Sequence, residues 1–327
     1  MTHTVRVPAS TSNLGAGFDC LGLALDIWLE ASLIPGSGPP EYSGTLADLA
    51  AEVDVVHAHL SACGATKSHH LRIHSDIPLG RGLGSSAAGR VAALVLERLV
   101  RGESIDSDEL FRQAIGLEGH PDNSGPAVYG GLVLAAHRPT HLALHGNIAV
   151  ALAVPKRAIE TATARRLLPE TVLRNVVIEQ AARAAALVTG LASGDRELIG
   201  YGMQDQLAVQ HRKGSIPGFD DAVHAGRAGG AYGVTISGSG STLLALAPPS
   251  AARDVAHAMA EALDRSDNPA TPLTPAVSQQ GVTVTEGTEC WNDGMFSAIH
   301  APCAVPPHRQ LILPSFRHSA RSAAIIA

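Results

Sequence analysis

Three glycines at alternate positions, Gly80, Gly82 and Gly84, occur in the stretch PLGRGLGSSAA (residues 78–88), and two serines follow them. Glycine tolerates positive φ and lets backbone N–H groups approach a ligand with no Cβ in the way. The next run, SSAAGRVAALVLERLVRG, keeps its apolar residues on one face and predicts a helix. A helix N-terminus offers free N–H donors and the positive end of the dipole, which suit phosphate. These residues alone predict a phosphate-binding loop or, equally well, a flexible turn before an ordinary helix.

The elements that would position this loop mix strands and helices without a simple repeat. The alternation in HTVRVPA predicts an edge strand that ends at Pro8, and HLRIHSDIP predicts a strand that leads directly into the glycine loop. Near the other end, GAYGVTISGSGSTLLALA predicts a strand, a tight glycine-serine turn and a return strand. Strands and helices follow one another too irregularly for a simple doubly wound sheet.

Length and composition indicate a folded globular protein. The chain has 327 residues, which predicts two domains, because single cores rarely grow beyond roughly 250 to 300 residues. Its hydrophobic content of 45% and charged content of 17% argue against disorder. The net charge of −6 argues against a nucleic-acid-binding surface.

Several features predict a cytoplasmic protein without disulfides. The four cysteines lie far apart and form no CxxC pair, so we expect reduced thiols. The start of the sequence lacks the apolar core of a signal peptide, and no uninterrupted apolar run reaches about 18 residues. Beyond Glu286 the periodicity ends, and residues 287–327 are predicted to be a poorly ordered tail that adds little to the core.

The three glycine-rich segments PASTSNLGAGFD, PLGRGLGSSAA and GAYGVTISGSGS, in this order, resemble the three motifs of the GHMP small-molecule kinases. The resemblance covers residues 4 to about 286. It implies an α+β, two-domain GHMP kinase fold. Residues 1–147 would form a ribosomal-protein-S5-like α/β domain with a left-handed crossover, which binds ATP, and residues 148–286 a ferredoxin-like domain. Residues 78–88 resemble the phosphate loop of these kinases, although they do not match the Walker pattern.

Within the family, the sequence most resembles the homoserine kinases. PASTSNLGAGFDCLGLAL is similar to their first motif nearly residue for residue, and EGHPDN, ETATARRLLP and QDQLAVQHRKGSIPGF resemble three further segments. Mevalonate- and galactose-kinase-like members carry a lysine in the first motif that supports a catalytic aspartate. Ser10 stands at that place here, which favours the homoserine kinases.

The resemblance assigns a role to each of these positions. ATP would bind along Pro78, Leu79, Gly80, Arg81, Gly82, Leu83, Gly84, Ser85, Ser86, Ala87 and Ala88. Mg²⁺ would be held by Ser86 and Glu118. Homoserine would contact Asn13, Asp19, His120, Asp122, Thr161, Arg165, Arg212 and Gly238. Catalysis would depend on Asp19, Asn123 and Arg212.

Each assignment has a physical reason and a simpler alternative. Glu118 and Ser86 offer the hard oxygens that magnesium prefers, although a carboxylate at a helix end is usually exposed to solvent. Thr161 and Arg165 share a face if their segment is helical. A single arginine is usually solvated, but Arg165 and Arg212 together could clamp a carboxylate. Turn chemistry alone would explain the polar residues of the first motif, and those of EGHPDN could form an ordinary loop.

The implied activity is ATP- and Mg²⁺-dependent phosphorylation of the side-chain hydroxyl of L-homoserine, on the route to threonine. The expected partners are L-homoserine and ATP, with no nucleic acid and no membrane, in a cytoplasmic homodimer. Two alternatives stay open: another GHMP kinase with a different small alcohol, and a ligand sensor without catalytic activity. Arg165, Arg212 and Ser10 argue against a kinase for a different alcohol. The intact glycine loop and Glu118 argue against a ligand sensor without catalytic activity.

The chain departs from the usual homoserine kinase pattern at a few positions. Ser241 replaces the proline of SGSGP, Gln206 replaces an arginine, and Ala208 replaces a histidine. The stretch VDVVHAHL lacks an asparagine often found near the nucleotide, so the adenine contacts are left unassigned.

Overall fold

Two β-sheets and the helices packed on them form the chain. The structure, a computed structural model, describes residues 2–48 and 54–287. Over these ranges it contains a seven-stranded sheet and a four-stranded sheet. The predicted tail, residues 287–327, lies outside the described residues apart from the backbone of Gly287, and its order stays a prediction.

The larger sheet is built mainly by the first half of the chain. Its strands are β1 (Thr2–Ser12), β2 (Leu21–Pro35), β3 (Glu41–Gly44), β4 (His69–Ser75), β5 (Leu132–Leu134), β6 (Thr140–Leu142) and β11 (Thr283–Gly287). Their order is β11-β1-β2-β4-β3, and β5 pairs with β2 and β6. All neighbours are antiparallel except β3 and β4. The helices of this half are α1 (Val55–Ala62), α2 (Ser85–Arg101), α3 (Ser107–Glu118) and α4 (Ser124–Tyr129).

Strand β1 is longer and more central than its sequence predicts. It runs to Ser12 and lies between β11 and β2, so the predicted edge strand ending at Pro8 is wrong. Pro8 is tolerated because the register with β2 shifts between Pro8 and Ala9, and a bulge needs no proline N–H. Because β1 extends to Ser12, the first residues of the first motif, including Ser10 and Ser12, belong to this strand.

The smaller sheet belongs to the second half. Its order is β10-β7-β9-β8, all antiparallel, with β7 (Ala149–Pro155), β8 (Gly233–Ile236), β9 (Leu243–Ala247) and β10 (Ala270–Leu273). The helices are α5 (Thr161–Arg166), α6 (Arg174–Ser193), α7 (Arg196–Gly202), α8 (Val209–Arg212), α9 (Phe219–Ala228) and α10 (Ala252–Asp264). After this sheet the chain returns, as β11, to the sheet of residues 1–147.

The two faces of the smaller sheet bury different side chains. Leu152 and Leu244 belong to the core that continues into the larger sheet, whereas Ala151 and Ala245 join a second core with α9 and α10. This alternation is the period-2 pattern of a strand covered on both faces. The shared first core joins the two halves of the chain, and the glycine loop lies between them.

Helix α6 is the one described helix long and apolar enough, by length and composition alone, to cross a membrane. Its Gln180 is 93% buried and donates to Asp205 Oδ1 at 2.8 Å and to the Ala16 carbonyl at 3.1 Å. These contacts make α6 an integral part of the fold beside the first motif.

Candidate active site

The glycine loop joins β4 to α2 and lies against the second half of the chain. A Cβ on Gly82 would lie 2.1 Å from the Ser237 carbonyl oxygen, and one on Gly84 would lie 2.1 Å from Ser10 Oγ. Both glycines also have left-handed φ values, 74° and 70°. Glycine is therefore required here for space as well as for conformation. Gly84 ends the loop as the N-cap of α2 and brings no side chain to the first N–H groups of that helix.

Contacts from the second half hold this loop in place. The Ser237 hydroxyl donates to the Gly82 carbonyl at 2.6 Å. The Arg81 guanidinium donates to the carbonyls of Leu79, Pro155 and Lys156. Burial lowers the pKa of Arg81. Arg81 therefore links the loop to the end of β7.

The first motif forms a turn that contacts the third. Asn13 and Asp19 both have left-handed φ, 70° and 55°, a conformation that asparagine and aspartate adopt more readily than most residues. The Asn13 amide donates to the Gly238 carbonyl at 3.0 Å and accepts from the Asp19 N–H at 2.9 Å. Asn13 thereby ties the two motifs together, beyond the turn chemistry that its residue type alone suggests.

Asp19 and Arg165 form a two-point ion pair. Arg165 donates to Asp19 Oδ1 at 2.7 Å and to Oδ2 at 3.1 Å. Burial lowers the pKa of Arg165, but the hydrogen bond and charge of Asp19, together with the charges of Asp122 and Glu118, raise it, and the net direction is upward. The sequence predicted contacts to the substrate for both residues, and the structure shows that they also bind each other.

Arg212 carries a buried positive charge. It is only 4% exposed and donates to the Gly238 carbonyl at 3.0 Å and to the Ala164 carbonyl at 3.4 Å. Within the described part of the chain it has no carboxylate partner. Burial lowers the pKa of Arg212, and the nearby charge of Arg165 lowers it further. Two cations line the same cavity, and one of them has no carboxylate in ion-pair contact among the described residues, so the pair could hold a carboxylate.

The segment GHPDN folds between α3 and α4 with its polar groups buried. His120 Nδ1 lies 2.7 Å from Asp122 Oδ1, and the same oxygen accepts the Asn123 N–H at 3.0 Å. Asp122 is only 2% exposed. The alternative of an ordinary polar loop is therefore excluded. Burial lowers the pKa of His120, but the hydrogen bond and charge of Asp122 outweigh burial and raise it above the ordinary value of 6.5.

We expect the free energy of unfolding to fall as pH rises through the raised pKa of His120. A group whose pKa is raised by folding contributes stability that is fully present below its unfolded pKa of about 6.5. That contribution is lost as pH rises from there through the higher folded-state pKa. Urea unfolding across pH 5–9 measures this loss, which His120→Gln should abolish. In NMR titration, His120 should titrate above 6.5. The control is His141, whose pKa burial lowers, and which should titrate below 6.5. A His120 midpoint at or below that of His141 would contradict the expectation.

Glu118 is not the exposed helix-end carboxylate that its position suggests. Its side chain is 9% exposed, and its Oε2 lies 3.0 Å from Ser86 Oγ and 2.9 Å from Arg90 Nε. The described residues contain no group of three or more His, Cys, Asp or Glu side chains that could hold a metal ion. Ser86 and Glu118 supply only two oxygen donors, which lie side by side. Two such donors fit a magnesium ion whose other ligands are phosphate or water.

A second buried carboxylate positions α8, which carries Arg212. Asp205 Oδ2 accepts the N–H groups of Ala208 and Val209 at 2.6 and 2.7 Å. Gln180 Oε1 accepts the N–H of Gln206 at 2.9 Å. At positions 206 and 208 this chain departs from the usual homoserine kinase pattern. In both residues the backbone N–H makes the contact described here, with Gln180 or Asp205, so that contact does not depend on the side chain. Asp205 and Gln180 received no role from the sequence, although an aspartate shortly before a helix can accept N–H groups at the start of that helix.

These elements enclose a cavity of about 190 Å³. The predicted residues that line it are Asn13, Asp19, Gly80, Gly82, Gly84, Ser85, Ser86, Glu118, His120, Asp122, Asn123, Thr161, Arg165, Arg212 and Gly238. The predicted nucleotide residues outside its wall are Pro78, Leu79, Arg81, Leu83, Ala87 and Ala88. Leu83, Ala87 and Ala88 are instead buried under the loop. Two lining residues were not predicted, Ser12 and Ser239, and the latter lies 3.2 Å from Thr161, hydroxyl to hydroxyl.

The arrangement of a glycine loop, an uncapped helix N-terminus and a carboxylate beside a serine fits a small-molecule kinase, and the family comparisons identify it as one of the GHMP class. The model of the GHMP kinases N terminal domain matches residues 47–131, and that of the GHMP kinases C terminal region matches residues 187–265.

Curated relatives narrow the class. The chain is 35% identical over 299 residues to a homoserine kinase of Picosynechococcus sp., covering 86% of this chain and 98% of the relative. It is 37% identical over 300 residues to that of Trichormus variabilis, with the same coverage. The crystal structure of homoserine kinase from Cytophaga hutchinsonii aligns with a TM-score of 0.75 at 30% identity, over 86% of this chain and 97% of that one. The chain therefore belongs to the homoserine kinases of the GHMP kinase family, and the predicted two-domain α+β fold class is confirmed.

Proposed function

We propose that this chain is an ATP-dependent homoserine kinase, which phosphorylates the side-chain hydroxyl of L-homoserine to O-phospho-L-homoserine in threonine biosynthesis. The observation that carries the proposal is the buried guanidinium of Arg212, which lacks an anionic partner in the described structure and lines the same cavity as Arg165 and the glycine loop. A ligand with a carboxylate at one end and a phosphate acceptor at the other fits this distribution of charge.

ATP and the amino acid would bind different parts of the cavity lining. The phosphates would lie against the glycine loop and the N-terminus of α2, where backbone N–H groups and the dipole favour negative charge. The carboxylate of homoserine would bind Arg212 and Arg165. Arg165 can do so only if its two-point contact with Asp19 loosens, which would free the Asp19 carboxylate to accept a hydrogen bond from the substrate hydroxyl.

Phosphoryl transfer then requires an in-line approach. The homoserine oxygen forms a bond to the γ-phosphorus while the bond from that phosphorus to the bridging oxygen of ADP breaks. The hydroxyl proton passes to Asp19 or to the transferred phosphoryl group. Such a transition state depends mainly on positioning and charge neutralisation. Asp19 and Asn123 would orient the hydroxyl.

We propose Mg²⁺ as the cofactor, held by Ser86 Oγ and a Glu118 carboxylate oxygen together with the nucleotide. When bound, the ion would neutralise charge on the phosphates. Arg90, 2.9 Å from Glu118 Oε2, fixes the direction of that carboxylate.

We expect Glu118→Gln to raise the Mg²⁺ concentration needed for half-maximal activity by about tenfold or more. An amide oxygen carries no charge for the ion, and even the outer partners of metal ligands typically contribute roughly 10–100-fold to metal affinity. The control is Glu97→Gln on α2, which removes an ion-paired carboxylate of similar exposure away from the cavity. A metal titration followed by ADP release separates the two, and equal curves for both variants would contradict the assignment.

One assay tests the function. ADP release is measured with L-homoserine, mevalonate, galactose and no substrate. We expect turnover with homoserine alone. Turnover with another alcohol would favour a different GHMP kinase, and binding of homoserine without ADP release would favour a ligand sensor.

We propose that the enzyme is soluble, cytoplasmic and homodimeric. Exposed apolar side chains lie around the start of α6, with Leu173 72%, Ile178 63% and Val177 52% exposed. Analytical ultracentrifugation should give twice the chain mass, and a monomer at assay concentration would contradict the dimer.

A further inference from the structure

We propose that Ser10 is a positioning residue for catalysis, which fixes the side-chain amide of Asn123 and ties it to the phosphate loop. The inference rests on the proposed function, because it requires Asn123 to orient the reacting hydroxyl. Ser10 itself is fully buried and does not line the cavity, so it acts through its neighbour.

The hydrogen bonds of the Asn123 amide run to two serines at the end of β1. Ser10 Oγ donates to Asn123 Oδ1 at 2.8 Å. Asn123 Nδ2 donates to Ser12 Oγ at 3.0 Å. All three residues are at least nine-tenths buried: Ser10 and Ser12 are fully buried, and Asn123 is 8% exposed.

The neighbouring carboxylate decides which way the amide points. Asn123 Nδ2 lies 3.3 Å from Asp122 Oδ1, and that carboxylate is held by His120 and by the Asn123 N–H. An ionised carboxylate only accepts hydrogen bonds, so the NH₂ group must face Asp122 and the oxygen must face Ser10. Ser10 then donates the hydrogen bond that the Asn123 amide oxygen accepts.

Ser10 also contacts the loop that would hold the phosphates. Its backbone N–H donates to the Leu83 carbonyl at 3.1 Å. A Cβ on Gly84 would lie 2.1 Å from Ser10 Oγ and 3.1 Å from Asn123 Oδ1. The hydroxyl is thus packed between the last glycine of the loop and the amide. A lysine at this position, which the mevalonate- and galactose-kinase-like members carry, would need space that Gly84 and Asn123 fill here.

Loss of the Ser10 hydroxyl leaves a buried amide oxygen without its donor and frees the side chain to turn. We expect Ser10→Ala to lower kcat for homoserine by about tenfold, with KM for homoserine and ATP changed less than twofold. Ser10→Cys fills nearly the same volume but offers a weak donor. We expect it to lower kcat severalfold, with a thermal midpoint near that of the wild type.

The matched control is Ser32→Ala. Ser32 is 3% exposed and its hydroxyl forms a 2.9 Å bond with Thr4 Oγ1, on the same pair of strands but away from the cavity. It should lower the midpoint about as much as Ser10→Ala and leave kcat unchanged. If Ser10→Ala does not fold, Ser10→Cys against Ser32→Ala decides.

A double-mutant cycle isolates the route of the effect. Because Ser10 acts through Asn123, Ser10→Ala combined with Asn123→Ala should have the same kcat as Asn123→Ala alone. A further tenfold loss in the double variant, or a kcat of Ser10→Ala and Ser10→Cys equal to that of Ser32→Ala, would overturn the inference. Absence of wild-type turnover with homoserine would instead refute the proposed function.

Discussion

Arg212→Ala should raise KM for L-homoserine by about 10- to 150-fold and leave KM for ATP nearly unchanged. The guanidinium is already desolvated by burial, and a charge-assisted, two-point contact with a carboxylate is worth about 1.5–3 kcal/mol. Arg165→Ala should act in the same direction but less strongly, because Arg165 is half-buried and first has to leave Asp19. Steady-state kinetics with each substrate varied in turn measures both effects.

Two controls separate substrate binding from structural damage. Arg98 is 6% exposed and paired with Gln113 and Glu109 away from the cavity, so Arg98→Ala reports the cost of losing a buried arginine. Arg166→Ala removes an exposed arginine next to Arg165. We expect wild-type KM values for both. Equal rises in KM for homoserine and ATP in Arg212→Ala, with a lowered thermal midpoint, would indicate misfolding and count against the carboxylate clamp.

The local parts of the site were predictable because their residue types carry the chemistry. Alternating glycines before an apolar helix predict, from φ preferences and free N–H groups, either a phosphate loop or a flexible turn, and the structure places Gly80, Gly82 and Gly84 on the cavity wall. The order of three glycine-rich motifs then predicted the GHMP kinase fold, which the family comparisons confirm.

Long-range pairings were not predictable in the same way. Nothing in the periodicity of residues 2–12 shows that β11, almost the whole chain away, will cover their outer edge. The contact between Asp19 and Arg165 spans 146 residues, and the sequence predicted a substrate contact for each of them but no contact between the two. Gln180 received no role from the sequence, yet it joins α6 to the first motif and to Asp205. Partners of this kind are set by how the two sheets meet, which no single segment encodes.

Asp19→Asn should retain measurable turnover, whereas Asp19→Ala should lose considerably more. A general base typically contributes about 10²–10⁴-fold, and its replacement by an amide removes that contribution entirely. An orienting acceptor survives the change to asparagine in part, because the amide oxygen still accepts a hydrogen bond. Two points favour orientation: the first motif has no lysine near Ser10 to tune Asp19, and a loose transition state needs little from a base. The acidic limb of the pH–rate profile should therefore be the same in Asp19→Asn as in the wild type.

Backbone strain has to be separated from this chemistry. Asp19 has φ 55°, which asparagine tolerates and alanine tolerates less well. Asp267 has φ 56° and is exposed, so the loss of thermal midpoint in Asp267→Ala measures the cost of alanine in this conformation outside the site. Homoserine binding by calorimetry shows whether each Asp19 variant keeps its substrate site. If Asp19→Asn binds homoserine and is nevertheless as inactive as Asp19→Ala, the carboxylate must take the proton, and Asp19 is the general base.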